Sequence, residues 1–148
     1  MKVINSFSMN FLSRSSNESF ARTAVAAFSA QLDPTLEEIS DIKTAVSEAV
    51  TNCIVHAYSE NIGKIYINCS ITDNNLLKIQ IKDKGRGIEN IEEAMQPLFT
   101  TLGGERAGLG FAVMESFTDK IKVRSVVGKG TTVTLIKKIN SKITVSGK

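Results

Sequence analysis

The chain has 148 residues, 42% apolar and 22% charged, with a formal net charge of +3. That is one domain, 1–148, large enough to bury a core, and a charge too small to mark direct nucleic-acid binding by electrostatics alone. No run approaches the roughly 18 apolar residues of a membrane span and no leader opens the chain, so a cytoplasmic protein with no membrane association is expected.

The predicted elements begin with a strand, in which Val3, Phe7, Met9 and Phe11 alternate with polar positions. Ser15 and Glu18 have capping-box spacing, and a helix follows to about Ala30. Its apolar stripe is Phe20, Ala24, Val25 and Phe28, with Arg22 turned to solvent as a candidate partner contact. Asp33-Pro34 breaks the chain; Thr35 and Glu38 form a second capping box for a long helix reaching about Ala57. Lys64 to Ile71 and Leu77 to Lys82 alternate about an Asp73-Asn74-Asn75 turn and read as an antiparallel hairpin. A glycine-bearing loop at 83–87, a short helix near Ile91–Met95 and a polar loop at 100–108 lead to a helix at Leu109–Phe117. Two strands, Lys120–Val127 and Thr131–Lys137, flank Gly128-Lys129-Gly130, and residues 139–148 read as a frayed tail. The lysines gathered late in the chain read as the wet face of these strands. Cys53 and Cys69 read as small buried hydrophobes, since their spacing is neither a disulfide framework nor a zinc site. The order predicts a two-layer α/β sandwich, with helices on one face of a mostly antiparallel mixed sheet.

Four segments carry candidate chemistry. At 100° per residue, Asp41, Thr44, Glu48, Asn52 and His56 form a polar stripe opposite the apolar side of the long helix. A carboxylate and an amide one turn apart suit a hard cation such as Mg²⁺, although a solvated helix face has the same spacing. Asp83, where a strand ends, can accept a hydrogen bond from a ligand amino group, with Gly85 and Gly87 allowing close backbone approach; an ordinary turn favours the same residues. The run Gly103 to Gly110 opens a helix, and free N–H groups there bind phosphate, with Arg106 a possible further contact. No Gly-Lys-Ser/Thr follows, so it is not a Walker loop. Finally, Thr131, after the last turn, can aim a hydroxyl at a ligand.

Taken in this order, the segments resemble the N, G1, G2 and G3 boxes of the Bergerat-fold (GHKL) ATPases and kinases. Asn17-Glu18-Ser19-Phe20-Ala21-Arg22, Ser47-Glu48-Ala49-Val50-Thr51-Asn52, His56-Ala57-Tyr58 and Gln96-Pro97-Leu98-Phe99-Thr100-Thr101 closely resemble the anti-sigma-F factors of spore-forming bacteria. The resemblance implies an ATP-dependent serine-protein kinase that phosphorylates an anti-anti-sigma protein, binds a sigma-F type sigma factor and forms a homodimer. It implies that Asn52 holds Mg²⁺ against the phosphates of ATP or ADP and that Glu48 is the general base. It implies that Asp83 reads adenine beside Gly85, Gly87 and Thr131. It gives phosphate to Gly108 and Gly110, counts Leu109, Thr100 and Thr101 among the nucleotide-binding residues, and places Arg106, a catalytic candidate, where it can touch the γ-phosphate or the partner. The loop 101–108 departs from that family in carrying Leu102-Gly103-Gly104 where a lysine and a proline are usual.

Three other functions fit parts of the pattern. A histidine kinase needs a phosphoacceptor module, whereas the lone His56 sits in the nucleotide-facing helix. An ATP-gated binding module would use the same pocket without transfer, and a stress-response anti-sigma kinase would share all the chemistry.

Overall fold

The computed structural model describes residues 2–95 and 107–140, the backbone alone at 107–109. Five strands form one sheet in the order β1-β2-β3-β5-β4: β1 Val3–Leu12, β2 Lys64–Thr72, β3 Leu76–Asp83, β4 Lys120–Val126 and β5 Gly130–Lys138. Every pairing among the described residues is antiparallel, so the expected mixed sheet is uniformly antiparallel. Among the described residues the α-helices are α1 (Ser16–Ser29), α2 (Leu36–Asn52), α3 (Ile91–Ala94) and α4 (Ala107–Ser116), with a 3-10 turn at Ala30–Leu32 after α1.

Alternation in the strands sends one set of side chains to the helices. Ile65, Ile67, Leu77, Ile79, Ile81 and Leu135 are fully buried and meet Ile42, Val46, Ala49 and Val50 of α2, together with Phe111 and Met114 of α4. Each such side chain contributes about 1.5–3 kcal/mol on leaving water. Helix α2 is therefore the spine of the second layer, with α1 on one flank and α4 on the other. Its start follows the sequence: Glu38 N–H donates to Thr35 Oγ1 at 3.1 Å and Thr35 N–H donates to Glu38 Oε1 at 2.9 Å.

Local structure departs from expectation in several places. Ser15 makes no side-chain cap; Glu18 instead turns to Arg22, at 2.5 Å, and to the Ser47 hydroxyl of α2. Arg22 is thus half-buried rather than turned to water. Phe20 lies outside the core, 54% exposed, edge-on to Phe11. Ile139 and Asn140, expected to fray, are held: Ile139 is buried and its N–H donates to Asn75 O, while Asn140 N–H donates to Glu38 Oε2.

The long helix also stops being α-helical early. Regular α2 ends at Asn52, and Cys53–Ala57 form a wider π-helical turn. Such turns concentrate at functional sites because they redirect backbone groups. Here Ala57 O accepts Arg86 N–H at 3.2 Å, tying the loop after β3 to the end of the helix.

Candidate nucleotide site

A cavity of about 520 Å³ opens between the end of α2, the loop after β3, α3 and β5. Asn52, Cys53, His56, Asp83, Gly87 and Thr131 line it with Ala49, Ile88, Phe111 and Val133. Apolar walls with a few convergent polar groups are the usual make-up of a small-molecule site.

Asp83 ends β3 on the core side and is 4% exposed. Its Oδ1 accepts Gly85 N–H at 3.0 Å and Thr131 N–H at 3.2 Å, and its Oδ2 accepts the Cys53 thiol at 3.5 Å. Burial pushes its pKa above the ordinary carboxylate value, and these donors pull it only part of the way back. Burial also raises the Cys53 thiol, with the Asp83 charge adding to it, so Cys53 remains a protonated donor. Thr131 is buried beside Asp83, and its hydroxyl shares a 2.8 Å hydrogen bond with Ser125. Ser125 also accepts Ile88 N–H at 2.7 Å, pinning the loop to the pocket wall.

Two glycines here have no substitute. Gly87 has φ +79°, and a Cβ would stand 2.4 Å from Val126 O. Gly130 has φ +128°, and a Cβ would lie 2.1 Å from Asp83 O, directly behind the acid.

At the other end of the cavity, α4 crosses α2 at Gly110, which is buried. A Cβ on Gly110 would stand 3.2 Å from Asn52 Oδ1 and 3.4 Å from Glu48 Oε1. The side chain of Asn52 is oriented into this gap with Nδ2 buried and no hydrogen-bond partner among the described residues. A buried amide left open is costly unless something completes it. Which end of the amide carries oxygen is an assignment, so the same position can present Oδ1 to a cation. Glu48 is half-buried and also lines a second, open groove of about 490 Å³ with Arg22, Leu36, Ile39, Lys43, Thr44 and Ser47.

The structure thus brings Asn52, Asp83, Gly87 and Thr131 to one cavity, with Gly85 bonded to Asp83 and with Glu48 and Gly110 next to Asn52. Gly108 and Leu109 lie in the first turn of α4. Thr100, Thr101 and Arg106 lie outside the described residues. The polar stripe divides: His56 lines the cavity, Thr44 the open groove, and Asp41 takes Lys137 Nζ at 3.5 Å. Sequence reasoning missed the roles of Cys53 and Ser125. Cys53 directly follows Asn52, but its apolar setting signalled only burial; nothing local marks Ser125.

Among the described residues no group of three His, Cys, Asp or Glu can hold a metal, and no helix is long and apolar enough to cross a membrane. A magnesium ion carried on phosphates needs only one or two protein oxygens, and Asn52 fits that demand.

Comparison with known proteins agrees with this geometry. Residues 13–137 match the histidine kinase-like ATPase domain family. The anti-sigma F factor of Thermoanaerobacter sp. (strain X514) is 61% identical over 142 residues, 95% of this chain and 99% of that protein. That of Clostridium acetobutylicum is 55% identical over 90% of this chain and 94% of its own length. Among solved structures, the RsbU and RsbW domains of Rv1364c from Mycobacterium tuberculosis superpose with a TM-score of 0.68 at 18% identity, over 91% of this chain and 32% of that one. The histidine kinase domain of Erythrobacter litoralis EL346 reaches a TM-score of 0.58 at 19% identity, over 88% of this chain and 63% of that one. The fold, the cavity and these relatives agree, and the chain belongs to the anti-sigma F factors within the histidine kinase-like ATPase domains.

Proposed function

We propose that the chain is a serine-protein kinase that uses ATP with Mg²⁺ to phosphorylate an anti-anti-sigma protein, and that it also binds and inhibits a sigma-F type sigma factor. The observation that carries kinase chemistry is the position of Glu48. It lies beside Gly110 together with Asn52, which lines the cavity, and it lines the open groove beside α1 and α2. A serine entering along that groove meets the carboxylate before it meets the phosphates.

In the transfer step, Glu48 takes the proton of the serine hydroxyl. The serine oxygen forms a bond to the γ-phosphorus, the bond from that phosphorus to the β,γ-bridging oxygen breaks, and ADP leaves with the electron pair. Asp83 accepts the adenine amino group, Thr131 and Gly87 shape the ring's pocket, and the first turn of α4 at Gly108–Gly110 receives phosphate. Asn52 would hold the Mg²⁺, which neutralises phosphate charge. Arg106, Thr100 and Thr101 are assigned to the γ-phosphate side. β1 is an edge strand of the sheet, and its pairing with a second copy is the proposed homodimer contact in the cytoplasm.

Incubation with γ-labelled ATP and the small partner protein tests this. Label on a partner serine is expected; release of free phosphate with no labelled partner would show an ATP-gated binding module instead.

A further inference from the structure

Among the described residues the helices cover one face of the sheet and none covers the other. Strand register fixes which side chains share that open face. Lys78 and Lys120 flank Ile136, and Lys82 and Arg124 flank Thr132. Lys122 lies between the two β4 positions, and Lys84 continues the β3 row, its ammonium 5.1 Å over the Tyr66 ring. Lys138 of β5 adds a seventh cation, and all seven are exposed. Asp83 is the only acid in the five strands, and it is buried on the core side. None of the seven has an ion-pair partner among the described residues, whereas Lys137, facing the other way, reaches Asp41.

The chain as a whole has 18 bases and 15 acids, so this face reflects segregation rather than composition. Helix α2, in the opposite layer, carries Glu37, Glu38, Asp41 and Glu48 against a single Lys43, and the acids next to these strands, Asp73 and Asp119, stand in turns at the sheet's ends, where Asp119 Oδ2 accepts the Lys138 N–H at 2.6 Å. A small net charge conceals the division. The β1–β2 half of the open face is neutral apart from Lys64 at its end.

We propose that the β3–β5–β4 half of the open face is a sequence-independent docking surface for the phosphate backbone of a nucleic-acid duplex. Six of the cations stand in two parallel rows, along β3 and on β4, with β5 and its Lys138 between them. Two strand spacings separate the rows by about 10 Å. That separation falls between the roughly 6 and 12 Å widths of a duplex's two grooves, so long lysine side chains can reach phosphates on both sides of one groove. Gln80 and Thr132, between the charges, are neutral groups of the kind that hydrogen-bond phosphate oxygens. Six of the seven cations are lysines, a residue depleted from desolvated protein–protein interfaces. No Trp, Phe or Leu stands among them to enter a lipid headgroup layer. The one aromatic nearby, Tyr66, is covered by Lys84, which removes a stacking platform for single strands.

The test is fluorescence anisotropy of a labelled random-sequence 20-base-pair DNA between 50 and 200 mM salt. It compares the native chain with the triple variant Lys78→Gln, Lys82→Gln, Lys122→Gln. None of these residues lines the nucleotide cavity, so ATP binding and melting temperature serve as folding controls, and the outcome is independent of the kinase reading. The native chain should bind in the micromolar range at 50 mM and weaken at least tenfold by 200 mM. The variant should lose at least tenfold in affinity at 50 mM, and its log–log salt slope should be shallower by about 2.7, at roughly 0.9 per phosphate contact. No binding by the native chain at 50 mM, or an unaffected variant, overturns the proposal. So does equal or tighter binding to single-stranded DNA, polyglutamate or vesicles rich in anionic lipid.

Discussion

The two ends of α2 are built differently. At the N-terminal end the polar groups close on one another: Thr35 and Glu38 cap reciprocally, and Glu38 also receives Asn140 N–H. At the C-terminal end Asn52 holds a buried amide nitrogen that no described residue completes, and the helix widens into a π turn over a carboxylate that burial disfavours. One helix thus has a satisfied end that contributes stability and an open end that forgoes it. Stability sacrificed at a cavity is the physical mark of a site that a ligand completes. Substitutions at the two ends should therefore separate activity from folding.

The largest separation is expected at Glu48. Glu48→Gln keeps the shape and removes the base, so phosphoryl transfer should fall by about 10²–10⁴-fold while ATP affinity and melting temperature stay near native values. Single-turnover transfer measured beside equilibrium nucleotide binding checks this. Equal loss of both would make Glu48 a metal or structural ligand instead.

Asp83→Asn should divide the two quantities in the opposite sense. An amide cannot accept the adenine amino group as a charged oxygen does, and loss of such a bond costs about 1.5–3 kcal/mol, roughly 10- to 100-fold in ATP affinity. Stability without nucleotide should not fall. The carboxyl's folded pKa lies above its ordinary 3.8, so the native state keeps a proton that the unfolded chain has already released. Stability on this account is greatest below the unfolded value and declines as pH rises through the folded one; the ionised acid is a penalty at neutral pH. The variant should lack that decline. Melts from pH 4 to 7.5 that fall in parallel for both proteins would contradict it.

How much of this was legible in the sequence follows the same division. Period-two alternation in β1 to β5 and the Thr35–Glu38 box are local signals, and they placed the sheet and the start of α2 within a residue or two. Asn52, Asp83, Gly87 and Thr131, which the structure gathers at one cavity, were legible as candidates because their residue types suit a nucleotide and their order resembles a known family. Cys53 and Ser125 were not, because their roles depend on pairing across 30 and 37 residues, to Asp83 and Ile88. Glu18 misled: three residues after Ser15 it mimics a capping box, yet a tertiary contact to Ser47 takes it. Phe20 follows a helical stripe, but it falls outside the core and meets Phe11 edge-on. The basic face was hidden because a summed charge does not record which side of a strand each lysine takes.

At the satisfied end the effects should be on folding alone. Thr35→Ala removes one half of a reciprocal cap and should cost about 1 kcal/mol, read by urea unfolding, with ATP affinity unchanged.

The smallest effect belongs to Glu18. Burial pushes its carboxyl up, but the Ser47 hydroxyl and the Arg22 guanidinium more than offset that, and its pKa lies below the ordinary 4.5. A lowered folded value means that the contribution is fully present above 4.5 and is lost as pH falls through the folded value. The side chains of Arg22 and Glu18 are 38% and 23% exposed, so screening holds the ion pair to about 0.2–1 kcal/mol. Glu18→Gln should therefore destabilise by less than about 1 kcal/mol at pH 7, and the difference should shrink towards zero below pH 4. The loss should diminish in high salt, because the charge on Arg22 is what Glu18 answers. A larger, salt-independent loss would instead assign the stabilisation to the hydrogen bond that the Ser47 hydroxyl donates to the Glu18 carboxylate, which ties α1 to α2 without any charge on Arg22.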